Sequence, residues 1–482
     1  MTRMRSRAWI AAGLAAIPAV AIPLTAVAMS GATPSFTRDV APIIAQKCAG
    51  CHQTGGIAPF PLETATQISS RAALIGAAVQ KRVMPPWPPG RRSPAYVGQA
   101  ARTLTTQQRA TLVAWATRGG KVDGPARTPA KPSRPEIRAG EKLLNLRMQA
   151  PYKPSAAKGV TDDYRCFLLD PKQAGDGSVT SVRIDPGQSK VVHHVILFRV
   201  AAGQVPAAQG LDRQSSGPGW SCFGGTGLPA GDTAAGIADS LNNANWIAAW
   251  APGWGGSRLP EGTGVSLPAR SQIVMQVHYN LLNGDAPDRS RALLTVAPAG
   301  AGLEPLQTML LPGPVELACA KGEAGRLCDR SEALFDLARK YGTTAAFTPA
   351  GLLILCRGSA ASPRASAEST CDRRITTPTT IHVAAGHMHL LGSSIRLELN
   401  PGTPRAKVLL DIPRWDFHWQ NAYALSRPLE ANPGDVVRVT CRHDVGKRRQ
   451  AGSGAPRKAR YVLWGEGTTD EMCLGILQVT RG

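Results

Sequence analysis

The sequence predicts a mainly β protein, with two antiparallel β-sandwiches preceded by a small all-α domain. Helical spacing of apolar residues is concentrated in the first 120 or so residues, with one later insertion. Beyond them, short β-rich runs alternate with Gly and Pro, a pattern typical of antiparallel sandwiches. A Pro-rich basic stretch separates the two patterns. The chain has 482 residues, enough for roughly two to four domains.

The first thirty residues have the organisation of an export signal. Three arginines precede an apolar run from Ala8 to Ala28 that ends in small residues, as secretory signals do. The run is also long enough to span a bilayer, so an uncleaved membrane anchor stays open as the alternative, although two prolines weaken it. We assign residues 1–30 to this segment and expect an exported protein.

Residues 33–124 predict a small cytochrome c domain. Apolar residues at helical spacing lead into Cys48-Ala49-Gly50-Cys51-His52, which is the Cys-x-x-Cys-His attachment motif of a c-type haem. A second helix is predicted over Thr105–Thr117, with Gly119 and Gly120 as its end. Two helices around this motif are typical of a cytochrome c fold, so one covalent haem c is expected.

The motif assigns a role to each of its reactive side chains. Cys48 and Cys51 would form thioethers to the haem, and His52 would be the proximal iron ligand. For the distal ligand we predict Met84, because a loop stiffened by Pro85-Pro86 can hold a thioether over the iron, and Met ligation raises its potential. A packing role for this methionine is the alternative.

The region beyond the helical domain predicts strands. Residues 125–150 form a Pro-rich basic linker, expected to be extended and fairly stiff. We place one sandwich at residues 151–300 and a second at 301–482, with a helical insertion at Ser331–Lys340. The predicted strands are Ser181–Ile184, Val191–Val200, Ser271–Asn280, Ser394–Leu399, Val437–Cys441 and Tyr461–Trp464.

Histidines in the first sandwich form one candidate metal site. His193 and His194 are adjacent in a predicted strand, where neighbouring side chains point to opposite faces. Both can bind one metal only if the strand bulges or one ring uses its δ nitrogen, so one ligand plus one buried histidine is the alternative for the doublet. His278 shares a strand face with Gln276, which fits a ligand with a supporting partner.

A second candidate site lies in the second sandwich. His387 and His389 are two residues apart and share one strand face, whereas Met388 points away. Met472 would add a sulfur ligand from a distant strand. Imidazole suits copper in both oxidation states and thioether sulfur favours Cu(I), so five histidines with one methionine indicate two redox copper ions. His382, His418 and His443 have no partner at ligand spacing, and a structural role is predicted for them.

The order of these motifs resembles that of the copper type II, ascorbate-dependent monooxygenases. The family includes peptidylglycine alpha-hydroxylating monooxygenase and dopamine beta-monooxygenase, and the similarity runs from about residue 163 to 478. The resemblance implies two jelly-roll-like sandwiches facing each other across a solvent cleft, and a disulfide between Cys166 and Cys222. It also implies that His193, His194 and His278 hold the electron-transfer copper, and that His387, His389 and Met472 hold the copper where dioxygen binds.

Two departures from the family pattern bear on the reaction. The peptide-amidating enzyme anchors a peptide carboxylate with an arginine and a tyrosine where this chain has Ala385 and Ile476, so a less charged substrate is expected. The fused cytochrome suggests that haem rather than free ascorbate delivers electrons. We therefore expect a monooxygenase that hydroxylates a C–H bond with dioxygen. A non-catalytic electron carrier or copper-handling protein is the alternative.

Cysteine usage and charge indicate the compartment and the partners. Eight cysteines remain beside the haem pair, and an even number in an exported chain predicts four disulfides. We expect Cys441 and Cys473 to pair, because that bond would fix the strand carrying Met472. Three pairings stay open for the four cysteines Cys319, Cys328, Cys356 and Cys371.

Export, disulfides and covalent haem together indicate a bacterial periplasm or cell exterior. The net charge of +22 could attract an acidic redox partner or anionic lipid, but the basic residues are scattered. An aromatic content of only 5% and the lack of a nucleic-acid motif argue against DNA or RNA as a partner. The expected partners are dioxygen, an organic substrate and an electron donor, which is a redox protein or a small reductant.

Overall fold

A computed structural model describes residues 34–54, 58–125, 136–156, 160–228, 245–251, 256–450 and 458–482. The predicted export signal and much of the predicted Pro-rich linker lie outside these residues. Within the described ranges, no helix is long and apolar enough to cross a membrane. The mainly β architecture predicted from the sequence is confirmed.

The first described region is a small helical domain. A π-helical turn, Phe36–Val40, leads directly into the helix that ends beside the Cys-x-x-Cys-His motif. The helices are α1 Ala41–Lys47, α2 Ala65–Ser69, α3 Ala72–Gln80, α4 Gln99–Arg102 and α5 Thr106–Thr117. Helix α5 begins at a capping box of Thr105 and Gln108. Trp115 on its buried face packs against Phe36, with ring centroids 5.8 Å apart.

The first sandwich consists of two sheets that share one apolar core. Its strands are β1 Lys142–Arg147, β2 Asp162–Leu169, β3 Gly177–Asp185, β4 Val192–Val200, β5 Trp220–Ser221, β6 Trp246–Trp250, β7 Ser257–Arg258, β8 Thr263–Leu267, β9 Gln272–Asn280, β10 Arg291–Pro298 and β11 Glu304–Pro305. One sheet has the order β1-β10-β3-β8-β11, with β7 also paired to β3, and the other has the order β5-β2-β9-β4-β6. Helix α6, Val205–Gln214, follows β4.

The second sandwich pairs two four-stranded sheets. Its strands are β12 Gln307–Pro312, β13 Glu316–Leu317, β14 Glu368–Arg374, β15 Thr379–His387, β16 Gly392–Leu399, β17 Lys407–Ile412, β18 Ala422–Ala431, β19 Val436–His443, β20 Val462–Leu463 and β21 Leu474–Arg481. The sheet orders are β12-β21-β15-β18 and β14-β19-β16-β17, and β13 pairs with β20 separately. Two helices, α7 Arg330–Tyr341 and α8 Thr343–Arg357, form an insertion between β13 and β14. Short 3₁₀ turns occur at Ala202–Gln204, Leu281–Asn283, Arg326–Cys328 and Val445–Arg449.

Helices α2, α3, α4 and α6 were not predicted from the sequence, and three other elements also differ from the prediction. Strand β1 begins at Lys142, inside the predicted linker, because it completes the first sheet by pairing with β10. Strand β11 lies beyond residue 300 but pairs with β8 of the first sandwich. Helix α8 was not predicted, since its interior contains Pro349 and its apolar residues do not follow one clear face.

Four disulfides account for the eight cysteines outside the haem motif. The predicted Cys441–Cys473 bond is confirmed, as is the Cys166–Cys222 bond implied by the family resemblance. The open choice among the other four is settled as Cys319–Cys328 and Cys356–Cys371. Cys48 and Cys51 are unpaired thiols.

A segment of the helical domain covers one side of the second sandwich. We call residues 87–97 the edge-cover segment. Its residue Tyr96 forms an antiparallel bridge to Leu425 on β18, and the N–H of Gly90 donates to the carbonyl of Asp411 on β17 at 2.7 Å. Strands β17 and β18 are the last strands of their sheets. The helical domain is therefore attached to the edge where both sheets of the second sandwich end.

Candidate metal centre

The three predicted ligands of the first sandwich come together. Strands β4 and β9 are neighbours, and their register shifts between Val192 and His194 so that His194 lies opposite His278. This bulge lets the adjacent His193 and His194 side chains approach the same point. The three Nδ1 atoms lie 3.2 to 3.3 Å from one another. Adjacent strand histidines were expected to share a metal only if the strand bulges or a ring coordinates through its δ nitrogen. Both conditions are met here.

The spacing of these nitrogens fits a single metal ion. Imidazole nitrogens bind a metal at about 2.0 to 2.1 Å, so two of them at a near-tetrahedral angle lie about 3.3 Å apart. His193, His194 and His278 each offer one such atom, and these atoms lie within 4.8 Å of one another. Three converging imidazole nitrogens cannot all hydrogen-bond one another, whereas a cation between them would satisfy all three lone pairs.

Asp162 determines which nitrogen His278 offers. The carboxylate lies 2.8 Å from His278 Nε2, and both side chains are buried. The proton therefore stays on Nε2 and the lone pair of Nδ1 faces the other two rings. Burial acts to raise the pKa of Asp162, but its hydrogen bonds from His278 and Thr468 lower the pKa below its usual value. The expected partner Gln276 instead donates to the carbonyls of Cys222 and Gly225.

His193, His194, His387 and His389 are neutral at neutral pH because the pKa of each is lowered. Burial is the main cause of the lowered pKa of His193 and His194, and the neighbouring histidine rings lower it further. Burial and the adjacent His389 lower the pKa of His387 to about 3, and burial lowers the pKa of His389 as well. Neutral imidazole is the form that binds metal ions.

The second set is held differently. His387 ends β15, and its Nδ1 lies 2.5 Å from the Gln420 side-chain oxygen, whose amide nitrogen donates to the carbonyl of Phe417. His389 Nδ1 lies 3.3 Å from the carbonyl of Asp470. Both acceptors are oxygens, so Nδ1 carries the proton in each ring and Nε2 is left as the free ligand atom. The first set thus presents Nδ1 and the second presents Nε2.

Glu471 ties His389 and Met472 together. One oxygen of its fully buried carboxylate accepts the backbone N–H groups of both residues at 3.0 Å. The other oxygen accepts the N–H groups of Leu391 and Gly392. Met472 is itself only 4% exposed, while Met388 lies in the core on the opposite face, as predicted. A single carboxylate therefore fixes the loop after His387 and the residue predicted as the sulfur ligand.

The two sets are adjacent in the folded chain. The ring centroids of His194 and His387 are 6.1 Å apart. Phe417 lies beside both sets, stacked on His193 at 4.6 Å and edge-on to His389 at 6.1 Å. The two sandwiches face each other, as the resemblance implied. The implied solvent cleft between the two sets is not seen in the described part of the chain, because the His194 and His387 rings lie next to each other.

Polar and aromatic contacts hold the two sandwiches together beside the centre. The Thr468 hydroxyl donates to Asp162, the same carboxylate that binds His278. The Tyr164 hydroxyl donates to the carbonyl of Glu466, and Tyr164 also stacks on the His278 ring at 4.2 Å. The 465–472 region of the second sandwich is therefore bonded to the residues that position the first histidine set.

The haem motif has the features that covalent attachment requires. His52 Nδ1 lies 3.0 Å from the carbonyl of Phe60, so this nitrogen is the donor and Nε2 is left for a metal. Cys48 and Cys51 stay unpaired although the other eight cysteines form disulfides. These side chains fit a c-type haem. Met84 is half-buried after α3, four residues beyond its end, and its role as distal ligand stays a prediction.

Sequence reasoning missed the residues that orient the candidate ligands. Asp162, Gln420 and Glu471 each contact a candidate ligand from a distant point of the chain or through backbone atoms, so no local spacing reveals them. The position of Glu471 directly before Met472 in the sequence was the one available signal. The other histidines have hydrogen-bonding or charged neighbours: His382 bonds Thr480, His418 bonds Asp416, and His443 contacts Glu471. Their structural role stays a prediction.

Comparison with known proteins identifies one domain. Residues 355–478, about a quarter of the chain, match the model of the copper type II ascorbate-dependent monooxygenase C-terminal domain. The match includes His387, His389 and Met472. No curated protein sequence matches the chain.

Solved structures give only a distant likeness. They include the major capsid protein P2 of bacteriophage PM2, with 10% identity over 70% of this chain and 97% of that chain, at a TM-score of 0.23. Broad bean stain virus shows 9% identity over 70% and 88%, at a TM-score of 0.24. A xanthan lyase from Paenibacillus shows 10% identity over 70% and 26%, at a TM-score of 0.17. Likeness at these scores carries no argument about function.

Proposed function

We propose that this protein is a periplasmic copper-dependent monooxygenase that hydroxylates a C–H bond of an organic substrate with dioxygen. The reaction takes two electrons, and one oxygen atom enters the product while the other leaves as water. His193, His194 and His278 would hold one copper, and His387, His389 and Met472 would hold the other. Electrons would come through a haem attached at Cys48 and Cys51, with His52 and Met84 as the side chains that bind its iron.

The observation that carries this proposal is the adjacency of the two histidine sets, whose rings lie 6.1 Å apart at His194 and His387. The first offers three imidazole nitrogens at the spacing of one metal ion. The second lies inside the region that matches the monooxygenase domain. Two adjacent one-electron sites suit a reaction that needs two electrons. A protein that needed only one metal site would not require two histidine sets packed against each other.

The residues of the chain prepare each site for a different task. Bound copper would supply one-electron redox chemistry and dioxygen binding. Asp162, Gln420 and the Asp470 carbonyl fix the ring tautomers, so the ligands need no rearrangement on binding. The methionine sulfur at position 472 favours reduced copper, whereas an all-imidazole set tolerates both states. Phe417 and Tyr164 pack against the rings and limit access of water to the centre.

The sheet face next to His387 supports an apolar substrate. Directly opposed residues on four strands form one row across the sheet: Ala422 on β18, Ala385 on β15, Ile476 on β21 and Leu310 on β12. Each is at least partly exposed, and none is charged or polar. Ala385 lies two residues before His387 and shares its face. A hydrocarbon-rich substrate would pack here, and a free carboxylate would find no cationic partner in this row.

The second candidate function is a non-catalytic haem and copper electron carrier. Burial of the histidines favours it, since a carrier does not require substrate access. The exposed apolar row beside His387 favours the enzyme, because a carrier has no use for a substrate surface there.

The test combines metal content with oxygen chemistry. Mature protein should contain two coppers and one covalent haem, and His387→Ala should lose about one copper while its haem spectrum stays intact. Loss of both coppers together with the haem would indicate general misfolding instead. Incubation of reduced protein with labelled dioxygen and a cell metabolite extract should place one label in a hydroxylated product. Electron transfer to a partner without any labelled product would support the carrier.

A further inference from the structure

The proposed function leaves open which ligand set receives the electron from the haem domain. In the family that the sequence resembles, the three-histidine set would have that role. The contacts of the helical domain lie elsewhere. The edge-cover segment binds strands β17 and β18, which belong to the sandwich that carries His387, His389 and Met472.

Backbone and side-chain hydrogen bonds around Tyr96 form this contact. Backbone pairing runs on both sides of Tyr96, since the N–H of Val97 donates to Ala424 and the N–H of Ser426 donates to Ala95. The Tyr96 hydroxyl donates to the carbonyl of Leu409 at 2.8 Å. Tyr96 is 4% exposed. The segment is therefore attached to the edge strand β18 by an isolated antiparallel bridge and its flanking backbone hydrogen bonds.

Three aromatic rings form the centre of this contact. Trp87 packs edge-on against Tyr423 at 5.5 Å and against Tyr96 at 6.2 Å, and the two tyrosine rings are 5.2 Å apart. Trp87 lies three residues after the predicted haem ligand Met84. A short covalent path therefore leads from the predicted haem ligand to an aromatic cluster shared by the two domains.

The haem motif itself is close to this cluster. The side chain of Lys47, next to Cys48, donates to the carbonyl of Ala100 on α4. Arg102 lies on the same helix. Burial raises the pKa of Cys51 and that of Tyr423, and the positive charge of Arg102 lowers both. One guanidinium thus lies within electrostatic range of a haem-attaching thiol and of the sandwich tyrosine.

From Tyr423 the path to the candidate copper ligand is short. Tyr423 lies on β18 opposite Ala384 of β15, three residues before His387. On the other side, three residues before Tyr423, Gln420 accepts the hydrogen bond of His387 Nδ1 at 2.5 Å. Electron tunnelling weakens steeply with distance and is favoured by covalent and hydrogen-bonded paths, so this geometry provides a continuous connection.

We infer that electrons enter the copper centre at the His387 side, through the Trp87, Tyr96 and Tyr423 cluster. This inference rests on the proposed function, because it requires the haem and the copper. In each step a haem held by Cys48, Cys51 and His52 would lose one electron, and a Cu(II) ion held by His387 and His389 would gain it and become Cu(I), with no bond formed or broken. A one-electron donor outside the chain reduces the haem again. The His193, His194 and His278 set, 6.1 Å away between ring centroids, is filled second.

Flash reduction of the holoprotein tests the route without turnover. Photoreduced deazaflavin delivers less than one electron per chain under anaerobic conditions, and the decay of the ferrous haem absorption reports the internal transfer. Trp87→Leu and Tyr423→Leu should slow this decay by about tenfold or more, while Tyr423→Phe should keep it fast. Trp246→Leu is the matched control, because Trp246 is also half-buried and also packs edge-on, against Phe198 in the first sandwich.

A second pair of variants identifies which ligand set receives the electron first, and it does so without altering the contact between the edge-cover segment and the second sandwich. His278→Ala should keep the fast haem oxidation, and His387→Ala should lose it, with the copper EPR signal falling in step. The inference is overturned if His387→Ala keeps the fast phase while His278→Ala loses it, or if Trp87→Leu is no slower than Trp246→Leu. A protein without a haem spectrum or without a copper signal would instead refute the proposed function.

Discussion

At the scale of single residues, Asp162 has the clearest testable role. Its carboxylate holds the proton on His278 Nε2, and loss of such a partner typically lowers metal affinity by about 10- to 100-fold. We expect Asp162→Ala to weaken copper binding at the first set by that factor, with little change at the second. Competition titration with a chelator of known affinity, monitored by copper content, measures the effect.

The adjacent carboxylate provides the control for this substitution. Asp163 accepts a hydrogen bond from the Tyr152 hydroxyl and from the N–H of Ser155, and it contacts no candidate ligand. Asp163→Ala should therefore leave copper affinity unchanged. Equal loss of affinity in both variants would mean that Asp162 acts through the stability of the strand and has no specific effect on the His278 ring.

Met472 allows the division of labour between the sets to be tested. Replacement of its sulfur with a third imidazole should favour Cu(II), so Met472→His should retain copper but lose dioxygen consumption. His278→Ala should retain a partial first turnover in pre-reduced protein, since the second set stays intact. Rapid mixing with dioxygen separates the two variants. Full activity of Met472→His would contradict the assignment of dioxygen chemistry to this set.

The candidate ligands were predictable because each carries chemistry in its own side chain. Five histidines and one methionine were identified from the sequence, and the structure brings His193, His194 and His278 together. The residues that orient them were not predictable. Asp162 precedes His278 by more than a hundred positions, and Glu471 acts on backbone N–H groups, which no sequence pattern marks.

At the scale of elements, the Cys441–Cys473 disulfide joins β19 to the start of β21, directly after Met472. It closes a loop with a sequence separation of 32, and removal of such a bond costs about 2 to 4 kcal/mol. We expect the double variant Cys441→Ala/Cys473→Ala to lose that much free energy of unfolding and to bind copper at the second set less tightly. Denaturant unfolding of the copper-free protein and copper titration measure the two effects.

The Cys319–Cys328 bond is the matched control for this pair. Its separation is only 9, and it lies at the base of the helical insertion. Its removal should destabilise the protein less and leave copper affinity unchanged. A larger effect on copper from this distant bond would show that the second set depends on global stability.

A buried ion pair predicts how the first sandwich responds to acid. The Arg258 guanidinium, followed by the Thr180 hydroxyl, lowers the pKa of Glu141 to about 2, against an ordinary value of 4.5. The unfolded chain therefore binds a proton between these values that the folded chain does not. The contribution of Glu141 to stability is complete above pH 4.5 and is lost as the pH falls toward 2.

Comparison with Glu141→Gln isolates this contribution. The variant keeps the size of the side chain but loses the charge, and we expect it to cost about 1 to 3 kcal/mol at pH 7. The difference from the wild type should shrink as the pH falls below 4.5. Urea unfolding at a series of pH values tests this. A difference that stays constant down to pH 2 would exclude ionisation of Glu141 as its cause.

Elements with strong local patterns were predicted well, and those that depend on distant partners were not. Helix α5 begins within one residue of its predicted start because its capping box is local. Strand β1 was placed in the linker, since its stabilisation comes from pairing with β10 far along the chain. The bulge before His194 was anticipated only as a condition for metal binding, because register between strands is set by both partners.

At the scale of the whole molecule, the packing of the two sandwiches would make the two proposed copper sites magnetic neighbours. With His194 and His387 ring centroids 6.1 Å apart, we expect the EPR spectrum of protein loaded with two Cu(II) ions to show coupling. The signal should be broader than the sum of the single-site spectra of His278→Ala and His387→Ala. A wild-type spectrum equal to that sum would mean that the sandwiches stand further apart in solution.

The edge-cover segment also bears on how the three domains can be separated. Strands β17 and β18 end their sheets, and an uncovered sheet edge offers unpaired N–H and C=O groups to other chains. Residues 87–97 occupy these groups through Gly90, Val97 and Ala95. A chain that lacked the helical domain would lose this protection. The helical domain therefore also protects the second sandwich against edge-to-edge aggregation.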